Sequence, residues 1–407
     1  MASTESEAAG TVPGNANPRG AASGQGATAK LNTLGYFWAL FSLGMVVASI
    51  GPSLPELAAT TGVSLGAVGV AFSAYRGGYM VGSLAGGTAL DRIAGNRLVA
   101  VGLLVMGGAL ALVPTMPLLP ALVVVFILIG IAGGVVEVGG NTLLVWVYRE
   151  KVGPWMSGLH FAFGIGAMVS PFLIGQSLRI TGGLPPAFLI AALLMAPGAL
   201  ALLLTRTPKA PPQSDGDGGT GDVSMVLLVS IFLLLYIGVE SSFGGWIYAW
   251  SIQVHSVTPA QAAILTSLFW GTITAGRLFS VPLASRLAPR TLLTGTVVGI
   301  SLSLALIASP LGSASELVVW IAAAGAGLSM AAVFPTAMSF AGRHMRVTGS
   351  SSRWFFIGAG AGGMTIPWGI GQLMDATGPA TVMPAILGVG LLMGGILWLL
   401  LMKVKRH

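Results

Sequence analysis

From Leu34 to the end of the chain, apolar residues occur in long runs separated by short polar or glycine- and proline-containing segments. Most runs have about the 20 residues that an α-helix needs to cross roughly 30 Å of hydrocarbon. Membrane-spanning helices are predicted near 34–57, 66–90, 98–115, 120–146, 155–178 and 185–205. A second set is predicted near 223–250, 262–283, 292–309, 313–340, 353–374 and 380–402. We therefore expect an all-α membrane protein with twelve transmembrane helices.

Two polar segments divide the chain. Residues 1–32 are rich in Ala, Gly and Ser and contain no apolar core, so they are predicted to form a disordered cytoplasmic tail without a signal peptide. Residues 206–222 read RTPKAPPQSDGDGGTGD, a composition typical of a flexible linker. The linker separates two predicted six-helix bundles, residues 33–205 and residues 223–407.

The composition excludes several classes of protein. A chain of 407 residues that is 54% hydrophobic and 8% charged cannot cover itself as a water-soluble globule. Its 60 glycines suit closely packed membrane helices. There is no cysteine, which rules out disulfides and thiolate metal sites. No phosphate-binding lysine loop or Cys and His cluster occurs, so we expect neither a metal nor a cofactor.

The positive charge of the chain follows its predicted topology. Nearly all Lys and Arg residues outside the spans fall on the side of the two termini and the linker, with Arg179 as the exception. The positive-inside rule then predicts that both termini and the linker are cytoplasmic. This topology explains the net charge of +7 without nucleic-acid binding. The expected surroundings are a lipid bilayer, and the chain is expected to be a monomeric multi-pass protein of the plasma membrane, or of the inner membrane in a bacterium.

The two predicted bundles also resemble each other. One offset between the halves pairs Arg92 with Arg286, and a nearby offset pairs Pro171 with Pro367, each within a register of matching glycines. Such internal similarity indicates two pseudo-symmetric halves.

The loop after the second span, GGTALDRIAGNR (residues 86–97), resembles the signature loop of the major facilitator superfamily. The resemblance covers nearly the whole chain from Leu34 to Lys403 and implies alternating access between two bundles. It also implies a cytoplasmic latch, for which this sequence offers Asp91, Arg92 and Arg97.

This loop differs from the superfamily signature at two positions. Ala94 is an extra residue, and Asn96 stands where a basic residue is usual. The counterpart loop of the second half, LASRLAPR, carries Arg286 but has Ser285 in place of an aspartate. A latch and a simple topological anchor at helix ends both remain open as roles for these charges.

Two further segments resemble the fucose:proton symporter family and the sodium-dependent glucose transporter group. They are VEVGGN with the following GLHFAFGIGAMVSPFL, and YIGVESSFGGWIYAW. The resemblance implies an ion-coupled sugar transporter. The acidic residue that fucose symporters carry inside the first helix is missing, since Glu56 lies at the outer end of that span.

Glu137 is a carboxylate in the middle of an apolar run, with Asn141 one helical turn further on the same face. Desolvation disfavours the ionised form of such a group, so it can exchange a proton when its hydration changes. The Asn141 amide supplies the donor and acceptor that a hydroxyl-rich ligand needs. The other reading is a static carboxylate that pairs with Arg76, whose charge requires a carboxylate partner or water.

Glu240 is the second intramembrane carboxylate and lies in the opposite half, so both acids are predicted to face one ligand near the bilayer midplane. Three more side chains are candidates. His160 can donate, accept or relay a proton, although a lone helical histidine is as often a packing residue. Trp246 is a candidate for contact with a sugar ring. Arg277 is expected to have a structural role, with its side chain extended toward the inner membrane surface, and Tyr248 and Trp250 are expected in an interfacial belt.

These patterns favour a secondary transporter that imports a hexose, such as glucose or fucose, by proton symport. Coupling is assigned to Glu137, Glu240 and Arg76, and sugar binding to Glu137, Asn141, His160, Glu240 and Trp246. Sodium coupling and proton-coupled efflux are the alternatives within transport. A membrane-embedded enzyme is disfavoured because no nucleophile accompanies Glu137, His160 and Asn141, so no catalytic residue is assigned. A receptor or scaffold is disfavoured because it would retain costly buried charges without a pathway.

Overall fold

The computed structural model describes residues 18–210, 223–345 and 349–405. These ranges are α-helical apart from short connections, as the apolar runs predicted. The helices are α1 (Pro18–Thr61), α2 (Leu65–Val68), α3 (Val70–Leu90), α4 (Gly95–Leu112), α5 (Leu119–Tyr148), α6 (Gly153–Thr181), α7 (Pro185–Leu193), α8 (Ala196–Leu203), α9 (Val223–His255), α10 (Pro259–Arg286), α11 (Pro289–Ala308), α12 (Pro310–Ala314), α13 (Glu316–Met330), α14 (Val333–His344), α15 (Gly349–Thr377) and α16 (Val382–Lys405).

Ten stretches of the described chain are long and apolar enough to cross a membrane. Helices α3 and α15 are long but are not among them. Both are glycine-rich, and they pack against each other rather than facing lipid along their whole length. The all-α membrane fold is confirmed, while the count of twelve spans and the pseudo-symmetry stay predictions.

Two of the predicted domain boundaries can be compared with the ends of helices in the structure. Helix α1 begins at Pro18, well before the predicted start of the first span near residue 34, and the apolar pattern did not predict this extension. The chain leaves helix after Leu203, as expected for the start of the linker. Residues 1–17 of the predicted tail and residues 211–222 of the predicted linker lie outside the described residues.

Three spans are interrupted in ways that the apolar pattern did not predict. The breaks lie at Gly69, at Leu194–Met195 and at Ala331–Ala332. The last break has a local cause, because Pro335 has no backbone N–H to donate to the carbonyl of Ala331. A break of this kind leaves carbonyl groups free for side-chain partners.

A buried hydrogen-bond network fixes one end of the first half. Asn96 is fully buried and accepts the Tyr36 hydroxyl at 2.6 Å, while its amide donates to Asn32 Oδ1 at 2.8 Å and to Thr205 Oγ1 at 3.0 Å. The middle of α1 and the start of α4 therefore meet the chain that leaves α8. We call this side of the molecule the basic end, because it carries Arg92, Arg97, Arg206, Arg286 and Arg290.

The described parts of the two halves touch through α1 with α9 and α10, α2 and α3 with α15, and α6 with α10. Against α15 the contacts extend from Ser64, just before α2, to Met80 on α3, and between α6 and α10 they extend from Gly175 to His160. Within the described ranges, no hydrogen bond joins the halves nearer the basic end than the one between Arg277 and His160. Among the described residues, the hydrogen bonds that join the halves therefore lie at the opposite end and in the middle of the molecule, and we call the opposite end the closed end.

Candidate functional site

Glu137 lies in the second half of α5 and is partly buried. The Tyr79 hydroxyl of α3 forms a hydrogen bond with its carboxylate. Asn141 Nδ2 donates to the Glu137 carbonyl oxygen at 2.8 Å, so both residues face the same side of α5, as their spacing predicted. Because this bond uses an amide donor of Asn141 within its own helix, Oδ1 is the atom that it can offer most readily to a ligand.

Arg76 lies on α3, one turn before Tyr79, and crosses from the first half to the second. Its Nη2 donates to Ser241 Oγ on α9 at 3.2 Å, and its Cζ is 6.0 Å from the ring centres of both Tyr75 and Tyr79. Glu137 lies within electrostatic range of this guanidinium group. The positive charge of Arg76 is therefore stabilised by the Ser241 hydroxyl, by two tyrosine rings and, without direct contact, by the Glu137 carboxylate.

Arg277 crosses in the other direction, and the structure corrects the expectation that its side chain extends toward the membrane surface. Its Nη1 donates to the His160 carbonyl oxygen at 3.4 Å, and its Cζ lies 5.9 Å from the ring centre of Phe163 on α6. It is also within electrostatic range of Glu137 and Tyr236. The expectation was wrong because the side of α10 that carries Arg277 packs against α6. The position of a residue along one helix does not show which side meets another helix.

Glu240 lies near the middle of α9 and is partly buried. The Tyr236 hydroxyl, one turn earlier on the same helix, donates to Glu240 Oε2. The same hydroxyl is 3.0 Å from the carbonyl oxygen of Met330, at the α13–α14 break. The Tyr236 hydroxyl group thus lies between two acceptors, Glu240 and the Met330 carbonyl oxygen. The broken helix and the second carboxylate are parts of one hydrogen-bonded unit.

His160 is near the start of α6 and is partly buried. Its backbone carbonyl oxygen accepts a hydrogen bond from Arg277 of the other half. The structure therefore brings His160 together with Glu137 and Arg277, as the three form one electrostatic group.

Trp246 is not next to the carboxylates but in the seal at the opposite end. It is fully buried, its Nε1 donates to the Pro367 carbonyl oxygen at 2.8 Å, and its ring contacts Phe72 edge-on. A Cβ atom at Gly371 would lie 2.7 Å from its Cζ2, so the indole fits only because this position is glycine. In this structure the indole of Trp246 is packed between the two halves, against Phe72 and the Pro367 carbonyl oxygen.

The predicted aromatic belt at Tyr248 and Trp250 is wrong. These side chains are 1% and 2% exposed, respectively, and so face neither lipid nor water. Their helix, α9, is surrounded by α1, α10, α15 and α16, which makes it a central helix of the second half. Aromatic residues near a helix end predict a belt only when that helix has a lipid-facing side at that depth.

The charged side chains of the loop that resembles the superfamily signature are exposed in this structure. Asp91, Arg92, Arg97 and Arg286 are all exposed, and none forms an ion pair or a side-chain hydrogen bond with another described residue. Asn96, the apparent departure from the signature, is instead the centre of the buried network at the basic end.

A group of hydrogen bonds joins α2 to α15 at the end opposite the basic end, and the sequence did not predict it. We call this group the latch. Asp375, near the end of α15, accepts the Ser64 hydroxyl and, at 2.9 Å, the backbone N–H of Gly66. Gln372 Nε2 donates to the Gly66 carbonyl oxygen at 2.9 Å. The partners are separated by about three hundred positions along the chain, and only the occurrence of an isolated aspartate at a span end could have drawn attention to it.

The arrangement contains two carboxylates, two guanidinium groups and a histidine between the halves. In the part of the chain that the structure describes, no three His, Asp or Glu side chains gather in a metal-binding group. Two small voids lie elsewhere, one near Met45 and Ser170 and the other near Ser251 and Glu316, and neither is lined by the two carboxylates. Chemically, the central group suits reversible proton exchange and hydrogen bonding to a polar ligand.

A model of the Major Facilitator Superfamily matches residues 36–367 of the chain. The chain therefore belongs to the Major Facilitator Superfamily. As a member of the Major Facilitator Superfamily it is a membrane transporter.

Several known proteins are similar to this chain. Sodium-dependent glucose transporter 1 of Xenopus laevis is 27% identical over 81% of the chain and 73% of the relative. Sodium-dependent glucose transporter 1A of Mus musculus is 26% identical over 82% of the chain and 88% of the relative. Human major facilitator superfamily domain-containing protein 4A is 23% identical over 85% and 87% of the two chains.

The fold is also similar to a solved structure. A crystal structure of a mutant of the nucleoside transporter NupG superposes with a TM-score of 0.75, covers 91% of this chain and 99% of that chain, and has 14% sequence identity. At that identity the likeness establishes the major facilitator fold, and it carries no information on the ligand.

Proposed function

We propose that this chain imports a hexose-type sugar by proton symport through alternating access. Twelve spans in two pseudo-symmetric halves would carry the pathway, with both termini and the basic end in the cytoplasm of a plasma membrane, or of the inner membrane in a bacterium. The single observation that carries the proposal is the central group. It combines carboxylates that can bind a proton with side chains that can bind hydroxyl groups, and it lies at the interface between the halves.

Glu137 is the proposed coupling residue. Two cations act on its carboxylate, Arg76 from its own half and Arg277 from the other half. When the halves rock, Arg277 moves with the second half, and the compensation of the Glu137 charge changes. A proton then replaces the guanidinium group as the compensating charge, and the proton is released when Arg277 returns.

Sugar binding is assigned to the polar atoms that remain available around this carboxylate. Asn141 Oδ1 and the His160 ring supply an acceptor and a group that donates or accepts. Glu240 on the facing half supplies a second carboxyl group, and its link to Tyr236 and Met330 ties occupancy of the site to the α13–α14 break. Trp246 is proposed to contact the sugar only after the seal at the opposite end opens.

The charged loop of the basic end has a proposed role in the other state of the cycle. Asp91, Arg92, Arg97 and Arg286 are exposed while the halves are separated there. Closure of the basic end would bring this loop against the second half, where its charges acquire partners. The latch through Asp375 would then break.

Sodium coupling is the second candidate, because two of the similar relatives are named sodium-dependent glucose transporters. The charge arrangement favours the proton. A sodium ion next to Glu137 would share the site with two guanidinium groups, whereas a proton removes the carboxylate charge without adding a cation.

Uptake into proteoliposomes tests the proposal. The purified chain is reconstituted, and labelled glucose and fucose are offered under a pH gradient or a sodium gradient imposed separately. Accumulation driven by the pH gradient alone is the expected result. Accumulation that requires sodium would replace proton coupling by sodium coupling, and extrusion of other small molecules without hexose uptake would overturn import.

A further inference from the structure

Arg277 has more hydrogen-bond donors than its surroundings use. A guanidinium group carries five N–H donors. Its one hydrogen bond to a described residue is the contact with the His160 carbonyl oxygen at 3.4 Å, which is longer than the usual 2.7–3.2 Å. It forms no ion pair within the described part of the chain. A partly buried cation with this few partners must donate to water or to a ligand.

The position of Arg277 is that of a group at the wall of the pathway. Phe163 supports one face of the guanidinium group at 5.9 Å, and His160 fixes one edge. Glu137, across the interface, and Tyr236, on its own half, are both within electrostatic range. Among the hydrogen bonds between described residues of the two halves, the one from Arg277 is the nearest to the basic end, so Arg277 lies at the edge of the hydrogen-bonded interface.

Arg76 differs from Arg277 in that close contacts between α3 and α15 surround it. Its Nη2 is bonded to Ser241 at 3.2 Å, and a Cβ atom at Gly363 would lie 3.1 Å from its Nε. Ser73, one turn before it, donates to the Met364 carbonyl oxygen at 2.7 Å. Arg76 is enclosed by the closed layer, whereas Arg277 lies at the boundary of that layer.

We propose that Arg277 is a substrate-binding residue that determines specificity by donating two parallel hydrogen bonds to a pair of adjacent oxygen atoms. The planar fork of a guanidinium group matches such a pair, and an ammonium group does not. Vicinal hydroxyls of a sugar and the carboxylate of a sugar acid present the same pair of acceptors. This assignment rests on the proposed sugar transport and adds the group that selects the sugar.

The experiment is equilibrium binding to the purified full-length chain in detergent, measured by titration calorimetry without a gradient. The ligands are glucose, a set of single-position deoxyglucoses, and glucuronate. The variants are Arg277→Lys and Arg277→Gln. Arg290→Gln, an exposed arginine at the basic end, is the matched control. Thermal unfolding of each variant is measured in parallel to confirm that it is folded.

For the wild-type chain, we expect removal of at least one hydroxyl to weaken binding about 10- to 100-fold, the range for a hydrogen bond to a charged group. In Arg277→Lys, glucose should bind about as weakly as that deoxy sugar, and the discrimination between them should disappear. Arg290→Gln should bind as the wild type does. If glucuronate binds most tightly, and if Arg277→Lys removes this preference, the carboxylate is the source of the oxygen pair.

The outcomes separate the two proposals. Wild-type binding of sugars with an unchanged affinity and discrimination in Arg277→Lys overturns the role of Arg277 and leaves sugar transport intact. Absence of binding of every ligand by the wild-type chain overturns the proposed function, and the assignment of Arg277 falls with it. A purely structural arginine would lower the unfolding temperature in Arg277→Lys without changing the ratio between glucose and its deoxy analogues.

Discussion

The carboxylate of Asp375 accepts the backbone N–H of Gly66 at 2.9 Å, although the two residues lie in different halves of the molecule. The same carboxylate accepts the Ser64 hydroxyl. A Cβ atom at Gly66 would collide with the Gly371 carbonyl oxygen, so the backbones of α2 and α15 meet directly. These contacts exist only while the opposite end is closed, and they make its closure testable.

Asp375→Asn should open the opposite end more often. The amide keeps the shape but weakens a charge-assisted bond, and since Asp375 is exposed we expect a shift of about 3- to 10-fold in the equilibrium between states. The chain has no cysteine, so Ser73→Cys, which lies between the halves, is a background-free reporter. The rate of its labelling by a membrane-impermeant maleimide should rise by the same factor. Glu150→Gln, an exposed change at the basic end, should leave the rate unchanged, and an equal rise there would refute the latch.

Gly51→Ala should also favour opening, for a steric reason. A Cβ atom at Gly51 would collide with the Gly245 carbonyl oxygen of the other half. Gly44→Ala is a matched control, because its Cβ atom would collide with the Phe163 carbonyl oxygen inside the first half. We expect faster Ser73→Cys labelling only for Gly51→Ala and a lower unfolding temperature for Gly44→Ala. Equal labelling rates for the two variants would contradict the position of the interface.

Trp246→Phe separates a sealing role from a ligand-binding role. The change removes the hydrogen bond to Pro367 and leaves space beside Gly371, so labelling of the Ser73→Cys reporter should increase severalfold. Sugar affinity in detergent should stay within about threefold of the wild-type value, because the indole is remote from the central carboxylates in the closed layer. A loss of affinity of tenfold or more would assign Trp246 to the binding site in this state.

Asn96→Ala should destabilise the first half. It removes a buried partner of Tyr36, Asn32 and Thr205 at once, and each buried polar group left without a partner costs about 1–3 kcal/mol. A fall in unfolding temperature of several degrees, measured in detergent, is expected, whereas the exposed neighbour Arg97→Ala should have little effect. Similar unfolding temperatures for the two variants would show that the network contributes no stability.

Much of the fold could be predicted from the apolar pattern, because bilayer-length helices have a strong and local signal. The pairing of Glu137 with Asn141 was also local, since one helical turn fixes which residues share a face. The crossing of Arg277 to His160 and the burial of Trp250 were not predictable in this way. Both depend on which side of a helix meets another helix, and in a membrane protein neither water nor lipid marks that side in the sequence.

The same reasoning explains the latch. The latch joins Asp375 to a four-residue helix at the other end of the sequence, and neither partner has a motif that indicates the other. Long-range contacts of this type require coordinates.

The central claim is that Glu137 carries the coupling proton, and proton movement tests it directly. Proteoliposomes that contain a pH-sensitive dye are given external hexose without a sodium gradient. The wild-type chain should acidify the lumen as sugar enters. Glu137→Gln should abolish both acidification and uphill accumulation while retaining part of the sugar exchange, because the amide keeps the shape but cannot be ionised. Glu150→Gln should behave as the wild type. Hexose entry without acidification by the wild type, or undiminished acidification by Glu137→Gln, would contradict the claim.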